Sequence, residues 1–103
     1  MDDVEKCIEY LGHTAEEIAR WKSAEKFYMY NLKHIEAKAY LTSEAKTIEA
    51  KKQEARASEE FVEALDKYKD SVYHAEMLES KREAARLKIS LYQSRLKAGM
   101  ENF

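Results

Sequence analysis

Residues 59–97, EEFVEALDKYKDSVYHAEMLESKREAARLKISLYQSRLK, decide the fold. Phe61, Leu65, Tyr68, Val72, Ala75, Leu78, Arg82, Ala85, Ile89, Tyr92 and Leu96 recur at steps of three and four. That spacing puts them on one face of an α-helix, as a heptad-like seam. Two successive steps of three, Val72–Ala75–Leu78, read as a stammer at which the seam rotates around the helix. Such a helix reaches roughly 58 Å at about 1.5 Å per residue.

Upstream, residues 15–41 repeat the pattern. Ile18, Trp21, Glu25, Tyr28, Leu32, Ile35 and Ala39 form a seam, and Phe27 and Tyr30 widen it. This arm spans roughly 42 Å. A hairpin of unequal arms leaves an apolar overhang containing Leu87, Ile89, Leu91, Tyr92 and Leu96. The core expected between the arms is Ile18, Trp21, Tyr28, Leu32, Ile35, Phe61, Leu65, Tyr68 and Val72.

Residues 42–58 separate the arms. Ile48 is their only large aliphatic side chain, and Ala, Lys, Glu, Ser, Thr, Gln and Arg fill the rest. Thr42-Ser43 marks the break, because short hydroxyl side chains compete for backbone groups, and Ser58 suits the cap of the next helix. The segment reads as a weakly packed helical connector, or a mobile one without ligand. At the other end, residues 3–11 read as a short helix. Asp2 or Asp3 caps it, Val4, Ile8 and Leu11 share a face, and Gly12 follows its end. Thr14-Ala15-Glu16-Glu17 then fits a capping box that opens the first long arm.

The expected fold is therefore all-α. One helical domain, 1–103, forms a long hairpin with a short N-terminal helix. Composition agrees: the chain has 103 residues, no proline, two glycines and 37% charged side chains, which leaves little turn chemistry for a sandwich or barrel. A hairpin this size has a thin core, and seven tyrosines exceed what it can hold. Both points favour a homo-oligomer assembled through coiled-coil-like seams, with Leu78, Arg82, Ile89, Tyr92 and Leu96 at the subunit contacts. Arg82 on a seam calls for a carboxylate across the interface, for which Glu25 is the candidate, or for phosphate near a central opening.

Several function classes are excluded or disfavoured. The single cysteine, Cys7, forms no internal disulfide and reads as a small apolar residue. His13, His34 and His74 are scattered and no HExxH occurs, so no metal or cofactor is expected. No glycine-rich phosphate loop or GxSxG is present, and the chain reads as a non-enzyme. No apolar run approaches the length of a membrane span, so a cytoplasmic location is expected.

Charge is segmented. Residues 1–30 carry −3, 31–57 carry +2, 58–80 carry −5 and 81–103 carry +4. Alternating blocks suit the electrostatic register of a hairpin, and equally a local anion-binding face that total charge conceals. The candidate face is Lys33, Lys38, Lys46, Lys51, Lys52 and Arg56, with Tyr40 among them. Clustered cations neutralise phosphates, and an exposed tyrosine offers a surface on which a base stacks. Glu36, Glu44, Glu49 and Glu54 interleave with the cations, which is equally the pattern of a solvated helix surface.

Ala37-Lys38-Ala39-Tyr40-Leu41, the order of helices around it and the closing Arg95–Gly99 stretch carry a likeness. The chain resembles the UvsY-type recombination mediators of tailed phages and related small helical phage proteins. That family's DNA-binding element looks like Lys-Ala-Arg-Leu followed by Asp-Tyr-Tyr. Here Glu36 stands where its first basic residue belongs, Lys38 replaces the arginine, and Tyr40 or Leu41 falls near the aromatics. The resemblance implies a ring-shaped homo-oligomer that binds single-stranded DNA without catalysis. It also implies partners: a RecA-like recombinase that is loaded, and a single-strand-binding protein that is displaced. Lys38, Lys46, Lys51, Lys52 and Arg56 would then contact phosphates while Tyr40 stacks. A different class of function, a phage coiled-coil adaptor or inhibitor acting through protein contacts alone, fits the same helices.

Overall fold

The computed structural model describes residues 3–101, with side chains described through residue 99. Three helices follow one another: α1 over Asp3–Thr42, α2 over Ile48–Ala57 and α3 over Glu59–Glu101. No strand occurs among the described residues. The fold is all-α, as the seams required. The chain divides into two compact units, one of Met1–Arg20 with Ala75–Phe103 and one of Trp21–His74.

Within the second unit, the end of α1 and the start of α3 form an antiparallel hairpin joined by residues 43–58. Leu32, Ile35 and Ala64 are its buried centre, and Phe61, Leu65 and Tyr68 pack against them. Trp21, Tyr28 and Val72 are half-buried. Trp21 lies flat on His74, with ring centroids 4.3 Å apart and planes 15° apart. His74 Nε2 also sits 3.4 Å from Asp70.

The break between the helices lies where hydroxyl residues were expected to place it. α1 ends at Thr42, whose hydroxyl donates to the Lys38 and Ala39 carbonyls. Thr47 caps α2 by accepting from the Ala50 amide at 3.0 Å. Ser58 works in both directions: its hydroxyl donates to the Ala55 carbonyl and accepts from the Phe61 amide. One residue thus closes α2 and opens α3.

In the first unit the start of α1 lies antiparallel to the second half of α3. The separate helix over 3–11 does not form. α1 runs unbroken through Gly12, and Thr14 is no cap. The Thr14 side chain is buried; its hydroxyl donates to the Tyr10 carbonyl at 2.7 Å and accepts from Arg82 Nη1 at 2.6 Å. Val4, Cys7, Leu11, Thr14 and Ile18 are all buried or half-buried, at steps of three and four. This buried stripe outweighs the helix-weakening effect of one glycine, which is about 1 kcal/mol.

Val72, Ala75 and Leu78, the two successive steps of three, are all buried or half-buried. The inward row of α3 is Ala64, Tyr68, Ser71, Ala75, Leu78, Arg82, Ala85 and Ile89, all buried or half-buried at strictly alternating steps. Ser71, whose hydroxyl donates to the Tyr68 carbonyl, is buried beside the half-buried Val72.

Candidate nucleic-acid interface

The second unit gathers part of the expected basic face. Lys33, Glu36, Ala37 and Tyr40 of α1 and Lys52 of α2 line one open hollow of about 370 Å³. On α1 these residues are spaced at i, i+3, i+4 and i+7, one helical face. Lys52 joins them because α2 is tied back beside the end of α1. Ser43 donates to Glu54 at 2.7 Å, and Arg56 Nη2 lies 3.5 Å from Glu36 Oε1.

The cations fall into two groups. Lys33, Lys38, Lys46 and Lys52 are exposed and make no ion pair among the described residues, so their charges remain available. Lys51 and Arg56 are engaged within the unit. Lys51 Nζ sits 4.9 Å from the centroid of the Tyr40 ring, a cation–π contact. Arg56 is shared with Glu36. One face of Tyr40 therefore already carries a cation, and Glu36 lowers the charge of the hollow's floor.

The geometry adds two residues outside the expected set. A neighbouring hollow of about 330 Å³ is lined by Glu25, Lys26, Met29, Tyr30, Lys33 and Tyr68, and shares Lys33 with the first. Lys26, Tyr30, Lys33, Ala37 and Tyr40 follow one another at steps of four and three. They make a surface strip on which lysine and tyrosine alternate. Tyr30 is 71% exposed. Its ring is open to solvent in a way that the Tyr40 ring is not. About fourteen helical rises separate Lys26 from Tyr40 and place this strip along about 21 Å.

The first unit places the residues expected at subunit contacts. Leu78, Arg82 and Ile89 lie on the inward row of α3, half-buried within the chain. Within the unit, Arg82 Nη1 donates to the Leu11 carbonyl at 2.7 Å as well as to Thr14. Ile89, expected in the apolar overhang, is half-buried. Leu87, Leu91, Tyr92 and Leu96 remain exposed. Arg86 is held by Glu79 and Glu83, and these hydrogen bonds raise its pKa further.

No group of three or more His, Cys, Asp or Glu side chains suited to a metal occurs among the described residues. No described helix is long and apolar enough to cross a membrane. No protein-family model, curated protein or solved structure matches the chain.

Proposed function

We propose that this chain is a non-catalytic, self-associating protein that binds single-stranded DNA and serves as a recombination mediator. The observation that supports this most is the strip Lys26–Tyr30–Lys33–Ala37–Tyr40, extended by Lys52 across the hollow. Unpaired lysines alternating with tyrosines suit a strand whose phosphates and bases alternate in the same way. Nothing on the strip resembles a fixed bidentate reader of base edges, so binding is independent of sequence. The assignment to recombination, with a RecA-like recombinase loaded as a single-strand-binding protein leaves, comes from the likeness to UvsY-type mediators.

The test is a titration of a fluorescent oligonucleotide with the wild type and with Lys33→Ala/Lys52→Ala. Each phosphate contact on a single strand contributes a slope of roughly −0.7 to log K against log salt. Loss of two contacts flattens the slope by about 1.4, so the affinity lost between 50 and 200 mM salt shrinks about sevenfold. A double variant with wild-type affinity and slope refutes the proposed strip. Failure of the wild type itself to bind leaves the adaptor function, exerted through protein contacts alone.

A further inference from the structure

The first unit carries a second, exposed seam on α3, of which Ala84, with Lys81 and Lys88 beside it, borders a hollow shared with Asp3, Lys6, Cys7 and Tyr10 of α1. The inward row of α3 is already covered, yet Met77, Ser80, Ala84, Leu87, Leu91 and Ser94 form another row at steps of three and four. All six are exposed, Leu87 at 61% and Leu91 at 51%. In a chain that is 37% charged, six uncharged positions in register on an exposed face need a reason. Beside this row run Lys81, Lys88 and Arg95, seven residues apart, exposed and without an ion pair among the described residues.

The start of α1 offers the complement. Ile8, Gly12, Ala15 and Ala19 are exposed and uncharged, at steps of four, three and four. Glu9 and Glu16 flank them, again seven apart. Residues 3–17 hold five acids and one lysine, whereas residues 81–99 hold six bases and one acid. A Cβ built on Gly12 meets nothing within 4 Å, so nothing within the chain requires glycine in this helix interior, where it weakens the helix. Three small residues leave a shallow backbone strip that accepts large side chains from outside. Glu16 pairs with Arg20 at 2.7 Å, but both side chains are exposed, and such a pair exchanges partners at little cost.

We propose that these rows are the two sides of a contact between copies of this chain. Leu87 and Leu91 of one copy seat over Gly12, Ala15 and Ala19 of another, and the Lys81–Lys88–Arg95 row faces Glu9 and Glu16. A nucleic-acid strand would occupy the cations but leave Leu87 and Leu91 in water; a second copy satisfies both. The contact specifies the surface behind the self-association in the proposed function, and needs no DNA to form.

Sedimentation equilibrium without nucleic acid tests it. The wild type sediments as a multiple of the 12.1 kDa protomer. Lys88→Glu/Arg95→Glu and Glu9→Lys/Glu16→Lys each shift the mass toward 12.1 kDa while the circular dichroism stays helical. All four changes in one chain restore the multimer. Gly12→Phe dissociates it without touching a charge. A wild type that stays a protomer at tens of micromolar overturns the contact, as do double variants of unchanged mass or a fourfold variant that stays dissociated. Double variants that keep their mass but bind oligonucleotides more weakly would make the basic row a phosphate track instead, and the contact falls. Oligonucleotide binding by Lys33→Ala/Lys52→Ala is read separately, so failure here and failure of the DNA strip are distinguishable.

Discussion

Arg82 offers a sharp test of how the first unit is held. Its Nη1 donates to the Leu11 carbonyl at 2.7 Å and to Thr14 Oγ1 at 2.6 Å, joining α3 to the first turns of α1. Its Nε is buried with no partner. Arg82→Met keeps the aliphatic stem and removes both bonds. A hydrogen bond to a charged group is worth about 1.5–3 kcal/mol; Arg82 is partly exposed, so the lower end applies. Two such bonds give a loss of about 3 kcal/mol. Thr14→Val preserves the branched shape but removes one of these two bonds, about 1.5 kcal/mol, and the hydroxyl's own bond to the Tyr10 carbonyl, about 1 kcal/mol, for a loss of about 2.5 kcal/mol. The double variant then costs about 4 kcal/mol rather than about 5.5, a coupling of about 1.5 kcal/mol. Urea unfolding followed by circular dichroism measures this, at one fixed protomer concentration, because self-association adds to apparent stability. Losses that add within about 0.5 kcal/mol would show that the two side chains do not interact, and the account of the unit would fail.

Other perturbations probe the second unit. Ile35→Ala, in the buried centre with Leu32 and Ala64, should cost about 2–5 kcal/mol in the same unfolding assay. Thr47→Ala removes the α2 cap and should cost about 1 kcal/mol, seen as faster hydrogen exchange confined to α2. Tyr30→Ala should weaken oligonucleotide binding by about 1–3 kcal/mol if its open ring stacks on a base, with helicity unchanged. An equal loss at Tyr40, one face of which Lys51 covers, and none at Tyr30 would put the stacking surface at the other end of the strip.

Much of the architecture was legible because burial follows a seven-residue period over both long helices. The errors have a common physical origin. Thr14 resembles a helix cap when read with Glu17, but its hydroxyl answers to Arg82, which is 68 residues away. Local pattern carries no trace of such a partner. Gly12 resembles a stop, yet the stripe from Val4 to Ile18 keeps its face buried through it. Ala55, Ala64 and Ser71 are among the most buried residues, and small side chains give a periodicity search little amplitude. At the candidate site, charge clustering located Lys33, Tyr40 and Lys52, which the fold brings together. It did not separate the available lysines from Lys51 and Arg56, whose partners depend on how α2 folds back. Lys26 and Tyr30 are legible from the alternating steps that join them to Lys33, but a basic block that begins at residue 31 leaves them out.

The central claim is binding of single strands through phosphates and stacked bases. Its most direct measurement is the affinity of the wild-type chain for fluorescent oligonucleotides of unrelated sequence across a salt series. Tight binding in low salt is expected, equal across mixed sequences, with affinity falling by a slope of roughly −0.7 for each phosphate engaged. Absence of binding even at the lowest salt, or binding whose affinity does not respond to salt, would contradict the account.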